Sequence, residues 1–280
     1  MRILFTIPHY FGPGPSCFGS ADASKRKQRV ASLRSCIASL HHNFGRSQKL
    51  GDVCPANQML TNDIDIVICV NGSNHLINEL DLPSGSFISR EFTMANPLFL
   101  GYSCYDVLRE ASGNYDWYCY LEDDIVISDS LFFSKLQWFY HVVNNARYLL
   151  QPNRYEIGVD PEFSKVYVDG PVWYNSAEFN AGLRLPGCFD EILIKCGETT
   201  FRTTPALNPH SGCFFLTNVH LRHLLEQPWY GDRLAHFAGP MESAATQYII
   251  TLFNVFKPAL ECASFLEVYH HHQKWVNNKT

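Results

Sequence analysis

Three consecutive acids, Glu122-Asp123-Asp124, stand between two apolar runs, Trp117-Tyr118-Cys119-Tyr120-Leu121 and Ile125-Val126-Ile127. Carboxylates held that close to a core repel one another and are costly to desolvate unless a cation or hydrogen bonds compensate. A hard divalent cation such as Mg²⁺ or Mn²⁺ takes one or two carboxylates from a protein and fills its shell with phosphate and water oxygens, so the triplet suits metal-assisted phosphate chemistry. Side chains on a strand alternate in direction, so three adjacent acids make sense where the chain turns out of a sheet. The competing reading is an acidic turn or helix cap with no ligand.

Tyr115 to Leu121 reads as the strand that delivers the triplet. Upstream, Arg2 to Ile7 is a first strand closed by Pro8, and Phe11-Gly12-Pro13-Gly14-Pro15 after it cannot be helical. Val30, Leu33, Ile37 and Leu40 recur at three- and four-residue steps among Lys25, Arg26, Lys27, Arg29 and Arg34, which predicts an amphipathic helix over 24–40 with a basic face. A loop over 41–62 follows, then a β-branched strand over 64–70 ending at Asn71-Gly72-Ser73, a short strand over 87–90, and a helix over 97–110 opened by Pro97. Beyond the triplet the pattern predicts a helix over 130–150 stopped by Pro152, hairpins and loops over 155–180, a strand over 213–217, a helix over 219–226, a helix over 242–253 and a last strand over 264–269. Strands alternating with helices imply a mostly parallel sheet whose ligands gather at the carboxyl ends of the strands.

The 280 residues include 46% hydrophobic and 18% charged side chains with a net charge of -5, which implies a self-sufficient globular core and excludes a nucleic-acid footprint. Aromatic residues cluster at 115–120, 132–140 and 167–179, where they serve a core or stack on sugar faces. The ten cysteines show no paired CxxC spacing, and the reading is buried free thiols in a reducing compartment. No run reaches the roughly 18 apolar residues of a membrane span. Cytoplasmic localisation is expected, with peripheral membrane contact left open.

The segment Leu121-Glu122-Asp123-Asp124-Ile125 resembles the DXD-type motif of GT-A glycosyltransferases, and the order of elements around it is similar to that family's. The resemblance implies an α/β, Rossmann-like, mostly parallel central sheet flanked by helices, with a smaller antiparallel, loop-rich acceptor side. One GT-A-like domain over 1–280 is expected, its nucleotide-sugar and metal-binding half at 1–127 and its acceptor-binding half at 128–280. Carried over, Asp124 is the expected metal ligand, Asp123 binds metal or the donor ribose, and Glu122 fills the variable first position. The family implies nucleotide contacts at the ends of the first two strands, hence Pro8, His9, Tyr10, Asn71 and Gly72. It also implies a metal-binding histidine after the final strand, for which His270 is preferred over His271 and His272. Glu242, opening a helix in the second half, is the expected base that deprotonates the acceptor, with Asp232 in reserve; the alternative for Glu242 is an acid favoured by the helix dipole. His210-Ser211-Gly212 is either a tight loop under the sugar or an ordinary turn.

The expected activity is therefore metal-dependent transfer of a sugar from a nucleoside-diphosphate sugar to a hydroxyl of a glycan, lipid or small molecule, with Mn²⁺ or Mg²⁺ as cofactor and inversion preferred. Two alternatives remain. One is a sugar nucleotidyltransferase, which the proline-laden Gly12-Pro13-Gly14-Pro15 disfavours. The other is a non-catalytic protein that binds metal or carbohydrate.

Overall fold

Strand β1 (Arg2–His9) carries apolar residues on both of its faces, a pattern that only a sheet covered on both sides satisfies. The computed structural model, which describes residues 1–14, 20–51, 54–158, 164–170, 189–271 and 276, supplies that cover. Helix α1 (Arg26–Phe44), the small hairpin β2 (Lys49–Leu50) and β3 (Cys54–Pro55), β4 (Asp63–Asn71), β5 (Ile88–Phe92), α2 (Gly101–Glu110) and β6 (Trp117–Leu121) follow β1. Then come β7 (Ile125–Val126), α3 (Phe132–Val143), β8 (Tyr148–Leu150), β9 (Asn153–Ile157) and β10 (Lys165–Tyr167). The chain ends with β11 (Ile192–Cys196), β12 (Thr199–Pro205), β13 (Cys213–Thr217), α4 (Asn218–Leu225), α5 (Pro240–Leu252), β14 (Asn254–Pro258) and β15 (Glu267–His270).

The central sheet has the order β13-β6-β1-β4-β5, with β13 antiparallel to its neighbour and the other four strands parallel. Ile3, Phe5 and Ile7 of β1, Trp117, Cys119 and Leu121 of β6, and Phe215 of β13 pack with Leu33, Ile37 and Leu40 of α1 and with Phe133 and Leu136 of α3. Leu4, Tyr118, Tyr120, Phe214 and Leu216 face the other way, toward Leu108 of α2, Leu221 of α4 and Tyr248 of α5. Most of the clustered aromatics over 115–140 are thus core; Trp138, 39% exposed, is not. Two further sheets, β10-β9-β15-β7 and β11-β12-β14-β8, adjoin the first.

The mostly parallel α/β architecture expected from the sequence is present, and its local departures have clear causes. The helix predicted over 130–150 stops at Val143 because Asn144 enters the left-handed region at φ 43° and donates its N–H to the Tyr140 carbonyl. Tyr148–Leu150 then becomes a buried strand parallel to β14. Helix α1 runs four residues past Leu40 to bury Phe44, so it takes the start of the expected 41–62 loop. Strands β11, β12 and β14 lie where no strand is expected. Strand β13, from the second half of the chain, completes the sheet of the first half. The predicted loops over 171–180 and His272 lie outside the described residues. The eight described cysteines are free thiols, five of them buried, and Cys17 and Cys188 lie outside the described residues. No helix among the described residues is long and apolar enough to cross a membrane.

At Gly101, α2 comes close to both α5 and β6. A Cβ there would sit 2.6 Å from Ala244 Cβ and 2.7 Å from the Tyr120 hydroxyl, closer than packed atoms tolerate. Gly101→Ala is expected to destabilise the fold by about 1–3 kcal/mol through overpacking, read as a lower urea midpoint at unchanged slope. An unchanged midpoint would show that the helices separate freely.

Candidate functional site

In a parallel sheet the chain reverses its order of strand addition at one place, and a crevice opens there beyond the strand ends. Strands β4 and β5 lie on one side of β1, while β6 lies on the other. The switch point, where such a crevice is expected, therefore falls between β1 and β6, whose carboxyl ends carry His9 and the acidic triplet.

The triplet is a hinge between two sheets. Glu122 still extends β6, donating its N–H to the Gly212 carbonyl at 2.7 Å, and the Ile125 N–H closes a turn onto the Glu122 carbonyl at 3.1 Å. Ile125 then pairs with His270 in the neighbouring sheet. Strand alternation and this turn send the three carboxylates to different partners.

Asp123 continues the Leu121 face of the sheet, the face on which His9 follows Ile7. Leu76 donates its N–H to His9 Nε2 at 3.1 Å, so the ring proton is on Nδ1 and is donated to Asp123 Oδ2 at 2.5 Å. Arg29, from the buried face of α1, donates Nη2–H to the same oxygen. Burial opposes ionisation of Asp123, but the Arg29 guanidinium and the His9 hydrogen bond outweigh it and hold the carboxyl below its usual range. Asp123, taken from the sequence as a ligand of metal or ribose, thus has its Oδ2 engaged by two side chains of the protein.

Asp124 faces the C-terminal strand. Its Oδ2 lies 3.5 Å from His270 Nε2 and 3.9 Å from Arg29 Nη1, and its carbonyl accepts the His271 N–H at 2.9 Å. The other ring nitrogen of His270 meets Glu156 Oε1 at 2.8 Å. Burial opposes a charge on His270, but Asp124 and Glu156 raise it to about 9, so the ring is an imidazolium between two carboxylates. A cation at Nε2 would take the place of that proton.

Glu122 turns toward the α5 side. Its Oε1 is 3.8 Å from His210 Nε2, and His210 Nδ1 is 2.8 Å from Thr246 Oγ1 on α5. Burial, then the charge of Asp124, pushes Glu122 up to about 8 against the pull of Arg154 and His270; Glu242 adds to the push. Gly212 adopts φ +62°, and a Cβ on it would fall 2.7 Å from Glu122 Oε2. The glycine of the 210–212 loop therefore admits the Glu122 side chain.

Behind the triplet lies a second buried group. Arg154 donates its backbone N–H and Nε–H to Asp169 at 2.9 and 2.8 Å, and Lys257 Nζ donates to Asp169 at 2.6 Å. Burial resists the charge on Asp169, but Lys257 and Arg154 bring it down to about 2. Burial pushes His210 well below its ordinary range, and the nearby Arg154 charge adds to the effect.

The other expected positions are placed as follows. Asn71 spends both side-chain groups on Met94, accepting its N–H at 2.9 Å and donating to its carbonyl at 3.1 Å. The Tyr10 hydroxyl donates to the Pro13 carbonyl, and Pro8 is half-buried within β1. Gly72, at φ +54°, has open space around the Cβ position apart from Glu91 Oε1 at 4.0 Å. Glu242 occupies the first turn of α5, after Pro240, near enough for its charge to act on Glu122. Asp232 is exposed, and its carbonyl accepts the Tyr248 hydroxyl. Arg29, Arg154, Glu156, Asp169 and Lys257 belong to the same neighbourhood without having been singled out as site residues. Arg29 had a signal, because it stands four residues before Leu33 on the apolar stripe of α1.

No family model matches the chain, and no curated protein does. Among solved structures, HddC from Yersinia pseudotuberculosis complexed with GMP-PN is similar over 91% of this chain and 90% of that one, at 12% identity and a TM-score of 0.40. Another structure of HddC from that organism covers 91% of this chain and 89% of its own at 13% identity and a TM-score of 0.38. Likenesses at this level carry no functional argument, and the site rests on its own chemistry.

The Asp169 group has a testable consequence. Its folded value of about 2 lies below the 3.8 of an ordinary aspartate, so its stabilisation is complete above pH 3.8 and is lost as pH falls through about 2. Asp169→Asn would leave Arg154 and Lys257 buried without the carboxylate they share, at a cost of about 3–5 kcal/mol. Chemical denaturation at neutral pH should show that loss, and acid unfolding of the variant should have a shallower limb between pH 4 and 2. Equal stability at pH 7 would contradict this account.

Proposed function

We propose that the protein is a metal-dependent glycosyltransferase that moves a sugar from a nucleoside-diphosphate sugar to an acceptor hydroxyl with inversion. The observation that carries this reading is the convergence of Asp124 Oδ2 and His270 Nε2, 3.5 Å apart, at the β1–β6 crevice. A carboxylate oxygen and an imidazole nitrogen form a mixed donor pair suited to Mn²⁺, and diphosphate and water oxygens commonly complete such a shell. Among the described residues no group of three or more His, Cys, Asp or Glu has metal-holding geometry, so the remaining ligands would have to come from substrate and water. Bound there, Mn²⁺ or Mg²⁺ supplies Lewis-acid neutralisation of the departing diphosphate.

The residues of the chain divide the remaining work. Arg29 and His9 hold Asp123 ionised and fixed, so Asp123 braces the turn that presents Asp124. Gly72, open around its Cβ position beside the end of β4, marks the side on which the nucleoside would lie. Glu242 accepts the proton of the acceptor hydroxyl, on the side of the triplet where Glu122 and His210 lie. A base positioned for that transfer contributes about 10²–10⁴-fold in rate.

Thermal-shift measurement with UDP-, GDP- and dTDP-sugars, with and without Mn²⁺, is expected to give stabilisation by one nucleotide that requires the metal and disappears in Asp124→Asn. Glu242→Gln should keep the shift and lose about 10²–10⁴-fold in transfer to the acceptor. Pyrophosphate release in place of sugar transfer would favour a nucleotidyltransferase. No metal-dependent nucleotide effect, or one unaltered by Asp124→Asn, would favour a non-catalytic binding protein.

A further inference from the structure

We infer that Glu156 is a positioning residue: it holds the Nδ1 proton of His270 so that Nε2 is the ring atom presented to Asp124, and the cation affinity of the site depends on it. The cation half of this inference rests on the glycosyltransferase reading, whereas the ring half rests on contacts alone. Strand β9 runs parallel to β15 with Tyr155 opposite Tyr269, so Glu156 and His270 each stand one position beyond that pair, on the same face of adjacent strands. The register therefore brings the two side chains together.

Glu156 is fully buried, with Oε1 2.8 Å from His270 Nδ1, while its Oε2 accepts the Val276 N–H at 3.0 Å. Two anchored oxygens fix the carboxylate plane, and an acceptor at Nδ1 demands a proton there. Nε2, 3.5 Å from Asp124 Oδ2, is then the atom at which a cation would replace the ring's second proton. A ligating histidine that donates its other N–H to a carboxylate is oriented by it and made a stronger donor. The β9 strand thus shapes the site without touching the metal or the donor.

Glu156→Leu removes the acceptor at similar volume, and Glu156→Gln keeps an acceptor oxygen without the charge. Titration with Mn²⁺ followed by electron paramagnetic resonance should give binding about 10–100-fold weaker in Glu156→Leu, with Glu156→Gln between it and the wild type. In ¹⁵N-histidine-labelled, metal-free protein, the hydrogen-bonded Nδ1–H of His270 should be visible in the wild type and lost in Glu156→Leu. That ring signal is one a merely structural role would leave in place. If Glu156→Leu does not fold, Glu156→Gln carries the comparison. Unchanged Mn²⁺ affinity in a folded variant, or a wild-type ring without the Nδ1 hydrogen bond, overturns the inference. Wild-type protein that binds no Mn²⁺ instead sinks the glycosyltransferase reading together with the cation half, and the ring signal then decides the positioning role alone.

Discussion

The structure around the crevice depends on neutralising three adjacent carboxylates that the chain carries to the edge of its own core. Desolvating one such group costs several kcal/mol, and their mutual repulsion adds to that. The fold meets the constraint by separating them. Asp123 goes to Arg29 and His9, Asp124 to His270, and Glu122 to the His210 side, where burial favours its protonated form. Four separate stretches of chain, β1, α1, the 210–212 loop and β15, therefore converge on one turn.

The separation follows from geometry as simple as strand alternation. Leu121 belongs to the face that packs on α1 and α3, so the next residue points to the α5 side and the one after it returns. His9 extends the Ile3, Phe5, Ile7 face of β1 and so arrives beside Asp123 without a special device. The turn between the β6 and β7 sheets then aims Asp124 at the last strand. Positional roles that a three-letter motif leaves undetermined are set by which side of a sheet each letter falls on.

This also explains what could be read in advance. The parallel strands were legible because buried strands are continuous apolar runs, and the triplet was legible because it interrupts one. The burial of Arg29 was half legible, since its spacing to Leu33 puts it on the apolar stripe of α1 although its charge suggests solvent. Ile192 and Ile194, buried against exposed Leu193, form a period-two pattern too short to stand out. Glu156, Arg154, Asp169 and Lys257 were not legible at all. Glu156 meets His270 across 114 positions and Lys257 meets Asp169 across 88, while the 15-position Arg154–Asp169 pair depends on how β9 and the chain after β10 are placed; all three are set by tertiary packing.

The central claim is a division of labour within the triplet: Asp123 braces the turn through Arg29, and Asp124 faces the cation together with His270. Diffraction from crystals containing Mn²⁺ and a nucleoside diphosphate, with anomalous scattering recorded at the manganese edge, tests it most directly. The account predicts an anomalous peak in bonding contact with the Asp124 carboxylate and His270 Nε2, with Asp123 still paired to Arg29. A manganese ion bound by Asp123 with Arg29 displaced, or no peak at the crevice, would contradict it.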